Sequence, residues 1–136
     1  MSDLFMLGRA LFGGFFTYYG VNHFLNLGMM AQYAASKGVP SPELAVLVSG
    51  ALLVVGGLSV LFGLWPQVGA ACLGLFLVGV TPVMHNFWDM ADPTLRMNEM
   101  AHFMKNVALL GGVLVTVGVL RPWPYSLEWR RHRIFG

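Results

Sequence analysis

The chain has 136 residues, a formal net charge of +2, and 57% hydrophobic but only 10% charged side chains, against about 25% charged in an ordinary soluble domain. That balance excludes a disordered segment, which needs low hydrophobicity and high charge; with eight Lys and Arg, half of them after residue 120, it also excludes a nucleic-acid partner held on a basic surface. A single cysteine, Cys72, leaves no intramolecular disulfide and no dithiol chemistry, and what remains is an integral membrane protein.

A helix rises about 1.5 Å per residue and the hydrocarbon core is about 30 Å thick, so a span needs about 20 apolar residues. In chain order, the first candidate span covers 4–27 and is interrupted by Arg9 and His23. Ser41-Pro42 reads as an N-cap followed by proline in the first turn, opening a second span over 44–64 that carries no charge. Trp65-Pro66 leaves almost no loop before a third span over 68–88, so the second and third form an antiparallel hairpin. Pro82 predicts a kink there and leaves the Val78 carbonyl without its usual donor. Asp92-Pro93 is another cap–proline pair, and a helix starting there leads into the fourth span over 101–120. None of these runs shows the alternation of a membrane barrel strand.

The expected fold is therefore all-α: an integral membrane four-helix bundle in residues 1–120, followed by a basic amphipathic interfacial tail over 121–136. In that tail Leu127, Trp129, Ile134 and Phe135 are interleaved with arginines. Glycines within the spans (Gly56, Gly57, Gly69, Gly74, Gly79, Gly111, Gly112) suggest close helix packing. No signal-peptide pattern opens the chain, so the first span is read as retained. An even number of spans puts both termini on one side. Arg9, Arg121, Arg130, Arg131 and Arg133 fall there, against Lys37, Arg96 and Lys105 on the other, which predicts cytoplasmic N- and C-termini.

Ionisable groups inside a span are costly and mark function. With span midpoints near residues 16, 78 and 110, His23 and His85 lie about 10 Å and His102 about 12 Å outward of the midplane. Three histidines from three helices thus share one layer. Tyr18, Tyr19 and Asn22 accompany His23; Asn86 and Asp89 accompany His85; Glu99, Lys105 and Asn106 accompany His102. Three readings stay open. The layer could be a hydrogen-bonded network that fixes the bundle. It could be a pocket for a quinone or another small ligand, walled by Phe24, Phe87, Trp88 and Phe103. It could be a metal or haem site, but no two histidines share a helix at ligand spacing, so haem is disfavoured and no metal is expected. Arg9 lies about 10 Å inward of the midplane, where it can snorkel to the interface or pair with a carbonyl or a partner chain. The nine methionines are scattered and read as core filler rather than copper ligands. There is no phosphate-binding glycine loop, no G-x-S-x-G and no HExxH, so any catalysis would take place in the membrane or on a partner.

Several segments carry a family resemblance: Arg9-Ala-Leu-Phe-Gly-Gly and Tyr19-Gly-Val-Asn-His-Phe24 in the first span, the loop Ala34 to Pro40, and Thr81-Pro-Val-Met-His-Asn-Phe-Trp88 with Asp92-Pro93. A further segment is Asn98-Glu-Met-Ala-His-Phe-Met-Lys-Asn106, which continues to Gly112. Over about residues 4 to 120 the chain resembles the DoxX family of small four-helix bacterial membrane proteins. The resemblance implies four transmembrane helices in a bacterial inner membrane. The family is named for a subunit of a thiosulfate:quinone oxidoreductase, and other members are associated with oxidative-stress and thiol-redox proteins. It supplies no catalytic residue set, and membrane thiol-pair chemistry does not transfer to a chain with Cys72 alone. The expected function is a non-catalytic accessory or anchoring subunit of a membrane redox or electron-transfer complex. The alternative is a quinone-binding oxidoreductase subunit in which His23, His85 or His102 bonds the quinone carbonyl and Glu99 or Asp89 relays protons. A small transporter is a further alternative and would require oligomerisation. The expected partners are the lipid bilayer, other membrane or periplasmic redox proteins, and a second copy of the chain.

Overall fold

A computed structural model describes residues 1–130, and no strand occurs among them. The elements are α1 (Ser2–Leu25), α2 (Leu27–Ser36), α3 (Pro42–Phe62), α4 (Pro66–Met84), a short 3-10 turn (Phe87–Asp89) and α5 (Pro93–Gly118). Among the described residues this corrects the expected four-helix count to six helical segments. Three helices are long and apolar enough to cross a membrane: Pro42–Phe62, Pro66–Asp89 and Pro93–Gly118. The first helix is not among them, because Asp3, Arg9, Asn22 and His23 dilute its apolar surface. It nevertheless runs antiparallel along α3, with Gly13 beside Leu61 and Gly57, Gly20 beside Leu53 and Val54, and Phe24 over Gly50.

The additional helix arises at Asn26. There the side-chain amide turns back to donate to Asn22 Oδ1 at 2.6 Å, and the backbone leaves helical geometry for one residue. The chain resumes as α2, where the sequence reading has only a loop. Ala31 and Ala34, three residues apart, are buried and seat α2 against α3. Ser41 adopts a left-handed conformation and makes no side-chain cap bond; Pro42 in the first turn is the feature that starts α3. Asp92 does cap α5, its carboxylate accepting from the Leu95 N–H at 2.8 Å. The Pro82 interruption is visible as an early end. α4 stops at Met84, His85 and Asn86 are non-helical, and the predicted third span closes on the 3-10 turn instead of a continuous helix.

Close packing is achieved through glycine where α1, α3 and α4 meet. A Cβ at Gly57 would lie 2.6 Å from the Thr17 nitrogen and 2.8 Å from the Gly13 carbonyl oxygen, so α1 and α3 are at backbone contact distance. Gly56 faces the other way and receives Leu73 of α4. Gly79 and Gly111 have nothing within 4 Å of such a Cβ, so the expectation of glycine packing does not hold there.

The core is formed by Phe16, Leu53, Val60, Ala70, Leu73, Leu77, Val113 and Trp123. Trp123 belongs to the stretch read from sequence as an interfacial tail. Residues 121–130 instead fold back on the end of the bundle that carries the N-terminus and the α3–α4 turn. Trp123 is 1% exposed and meets Phe5 edge-to-face at 5.3 Å, and Ser126 is fully buried. The rest of that stretch, with Arg131, Arg133, Ile134 and Phe135, lies outside the described residues. The opposite end of the bundle, here called the far end, holds α2 and the loops on either side of the 3-10 turn.

Candidate functional site

A cavity of about 820 Å³ opens among the helices toward the far end, with walls from α1 to α5. Its apolar lining includes Phe15, Phe16, Leu53, Phe76, Leu77 and Val80. Its polar lining comes from Tyr19 and His23 on α1, Tyr33 on α2, Ser49 on α3, His85 at the end of α4, and His102, Lys105 and Asn106 on α5. The three histidines at one depth therefore face one space.

Each imidazole is held differently. His23 Nδ1 lies 2.7 Å from the carbonyl oxygen of Tyr19, one turn earlier on the same helix, and the ring meets Phe76 edge-on at 6.2 Å. His85 is placed by the premature end of α4, and its Nδ1 lies 2.8 Å from Glu99 Oε2 on α5. His102, three residues beyond Glu99, stacks on His85 with ring centroids 5.3 Å apart and planes at 21°. Among the described residues His102 makes no hydrogen bond, and the Lys105 ammonium has no polar partner. Asn106 follows one turn later on the same face of α5. It is only 7% exposed, and its amide has no hydrogen-bond partner among the described residues.

The polar layer continues above the cavity as a chain of bonds. Lys37 Nζ donates to Asn86 Oδ1 at 3.1 Å, and Asn86 Nδ2 donates to Asp89 Oδ2 at 3.0 Å. The Lys37 ammonium also lies 5.9 Å from the centre of the Tyr33 ring. Burial pushes the Tyr33 phenol above the ordinary tyrosine range, and the negative charge of Glu99 adds to that shift.

Of the residues singled out from sequence, Tyr19, His23, His85, His102, Lys105 and Asn106 line the cavity, and Glu99 reaches it through His85. Asn22 does not; it is taken up by Asn26 at the helix break. Asp89 and Asn86 stand above the cavity rather than in it. The expected aromatic wall is also displaced: Phe87, Trp88 and Phe103 pack edge-to-face on one another, and the cavity is walled by Phe15, Phe16 and Phe76. Tyr33, Lys37 and Ser49 were not read as part of a site. The spacing of Ala31 and Ala34, which marks α2 as a seated helix, is the signal that would have brought in the first two. Among the described residues no three His, Cys, Asp or Glu side chains come together to hold a metal ion.

A family model for DoxX matches residues 4–86, well over half of the chain. The chain belongs to the DoxX family. It is similar to the inner membrane protein YphA of Escherichia coli (strain K12), with 26% identity over 127 residues, covering 93% of this chain and 89% of YphA. No solved structure matches. With α3, α4 and α5 apolar enough to cross the bilayer, this DoxX protein is a multi-pass protein of the inner membrane, in contact with lipid. The family match covers His23 and His85 but stops before α5, so Glu99, His102 and Asn106 enter the site on geometry alone.

At the other end of this DoxX protein, Arg9 pairs with carbonyls of its own chain. It is 7% exposed, and its two terminal nitrogens donate to the carbonyl oxygens of Pro124 and Tyr125, each at 3.3 Å. Its Nε has no partner among the described residues. Glu128 fastens the same segment to the start of α4, accepting from the Trp65 N–H at 3.2 Å while lying 3.5 Å from Arg121.

Proposed function

We propose that this DoxX protein binds a lipophilic quinone in the far-end cavity and serves a membrane redox complex as its quinone-binding, non-catalytic subunit. The observation that carries the reading is Asn106, a residue 7% exposed whose amide, without a partner among the described residues, opens onto a cavity of about 820 Å³. That volume lies within the range of about 300–1,000 Å³ common for small-molecule sites, which combine apolar walls with a few converging polar groups. Phe15, Phe16 and Phe76 offer a flat apolar surface to a ring and prenyl chain, while Asn106 and Lys105 offer N–H donors to ring oxygens. A bound quinone would supply two-electron chemistry; the chain's own residues bind it, orient its ring and keep bulk water from it.

The same reading places α1 as a fourth crossing beside α3 and both termini in the cytoplasm, following the excess of arginine at that end. The far end, with Lys37 and Asp89, then faces the periplasm and periplasmic redox partners.

The test is purification from native membranes in mild detergent, with extraction and mass spectrometry of bound quinone. Wild type is expected to carry quinone, and Asn106→Leu and His102→Phe to lose it without a change in elution profile. Full retention in both variants would remove the cavity as the site. A single reporter cysteine at position 37 in a Cys72→Ser background should be labelled from the periplasmic side; labelling only from the cytoplasm would invert the topology.

A further inference from the structure

We infer that the cavity is built for the reduced form of its ligand: His23 and His85 meet it as hydrogen-bond acceptors, and a lipophilic hydroquinone can satisfy them while a quinone cannot. The inference rests on the reading above, that the occupant is of the quinone class.

It follows from what holds each imidazole. A backbone carbonyl carries lone pairs and no proton, so the hydrogen between Tyr19 and His23 must sit on His23 Nδ1. In a neutral ring the other nitrogen, Nε2, is then an acceptor. The carboxylate of Glu99 imposes the same tautomer on His85. Both residues line the cavity, so in the neutral form the nitrogen that each has left for a ligand is an Nε2 acceptor. A quinone presents only carbonyl oxygens, and lone pair would meet lone pair. A hydroquinone hydroxyl donates to Nε2 and still accepts from the Asn106 amide or the Lys105 ammonium.

Glu99 is in these terms a positioning residue. It touches no ligand but decides which nitrogen of His85 carries the proton. Glu99→Gln keeps the shape and can offer its own N–H to Nδ1, which moves the ring proton to Nε2 and turns that acceptor into a donor.

The experiment measures equilibrium binding of decylubiquinone and of its quinol to the purified full-length protein in lipid nanodiscs, under anaerobic conditions. Wild type should bind the quinol at least about tenfold more tightly, since each of the two acceptors a quinone leaves unmet is worth up to about that factor. The two-electron potential of the bound couple should accordingly rise by at least about 30 mV. Glu99→Gln should bring the ratio close to one, chiefly by tightening the quinone; a merely structural role for Glu99 would weaken both forms alike. Should Glu99→Gln not fold, His23→Phe removes the other acceptor and should lower the ratio in the same direction. Equal binding of the two forms, or tighter binding of the quinone, overturns the inference while leaving quinone as the occupant. Failure of either form to bind overturns it together with the functional reading beneath it.

Discussion

Asn106 is the side chain at which ligand binding is read most directly. It is 7% exposed and its amide is unbonded among the described residues, so the polar atoms it presents are open to the cavity and free to meet a ligand there. Asn106→Leu, close in volume and without polar atoms, should therefore shift the thermal midpoint in detergent by the equivalent of less than about 1 kcal/mol, while quinone is lost. A lower midpoint with quinone retained would reveal a structural partner for the amide. Tyr33 gives a second residue-level outcome. Its phenol is held above the usual range by burial and by Glu99, so spectrophotometric titration compared with Tyr33→Phe should show it ionising late among the four tyrosines. Because the folded pKa is raised, the associated stability is present below the unfolded tyrosine pKa and is lost as pH climbs through the folded one. Glu99→Gln should move the ionisation part of the way back. At this scale the sequence was informative about depth and blind to direction. Counting residues along a helix fixes how far His23, His85 and His102 sit from the midplane. Nothing in the count shows that Asn22, at the depth of His23, turns toward Asn26 instead.

The helices show the same division between what periodicity reports and what neighbours decide. Long apolar runs and cap–proline pairs gave α3, α4 and α5 to within a few residues. α2 was missed because Gln32, Tyr33, Ser36 and Lys37 break any apolar stripe, and two alanines are enough to seat a short helix against a larger one. Glycine was an ambiguous signal for a related reason: mid-span glycines look alike in sequence, yet only some meet another backbone. Gly57→Ala would drive a methyl group into Thr17 and the Gly13 carbonyl and should destabilise the protein by about 1–3 kcal/mol. Gly111→Ala has open space and should be neutral or slightly stabilising through better helix propensity. Thermal melts of the two variants test the pair; equal losses would mean that α1 and α3 are not in backbone contact.

For the molecule as a whole, the closing element is the C-terminal segment. Trp123 joins a core built from α1, α3, α4 and α5, so Trp123→Ala should cost about 3–5 kcal/mol, a loss readable as a large drop in the detergent melting midpoint. A drop comparable to that of a surface substitution would return the segment to the role of an interfacial tail. The sequence pointed the other way because Trp and Tyr beside Arg are the usual signature of a membrane–water interface. The features that convert an anchor into a buried plug are distant in sequence: the absence of a side chain at Gly63, where a Cβ would meet Ser126 at 2.5 Å, and the guanidinium of Arg9.

That guanidinium has a consequence for how the protein is made. Arg9 leaves the ribosome 115 residues ahead of Pro124 and 116 ahead of Tyr125, whose carbonyls accept its hydrogen bonds. A charge at that depth is expensive in lipid without partners. Until that segment has emerged, the Arg9 guanidinium lacks the two carbonyls that hold it in the folded protein. A chain cut short of Pro124 would keep that charge unpartnered, the kind of flaw a membrane quality-control protease can read.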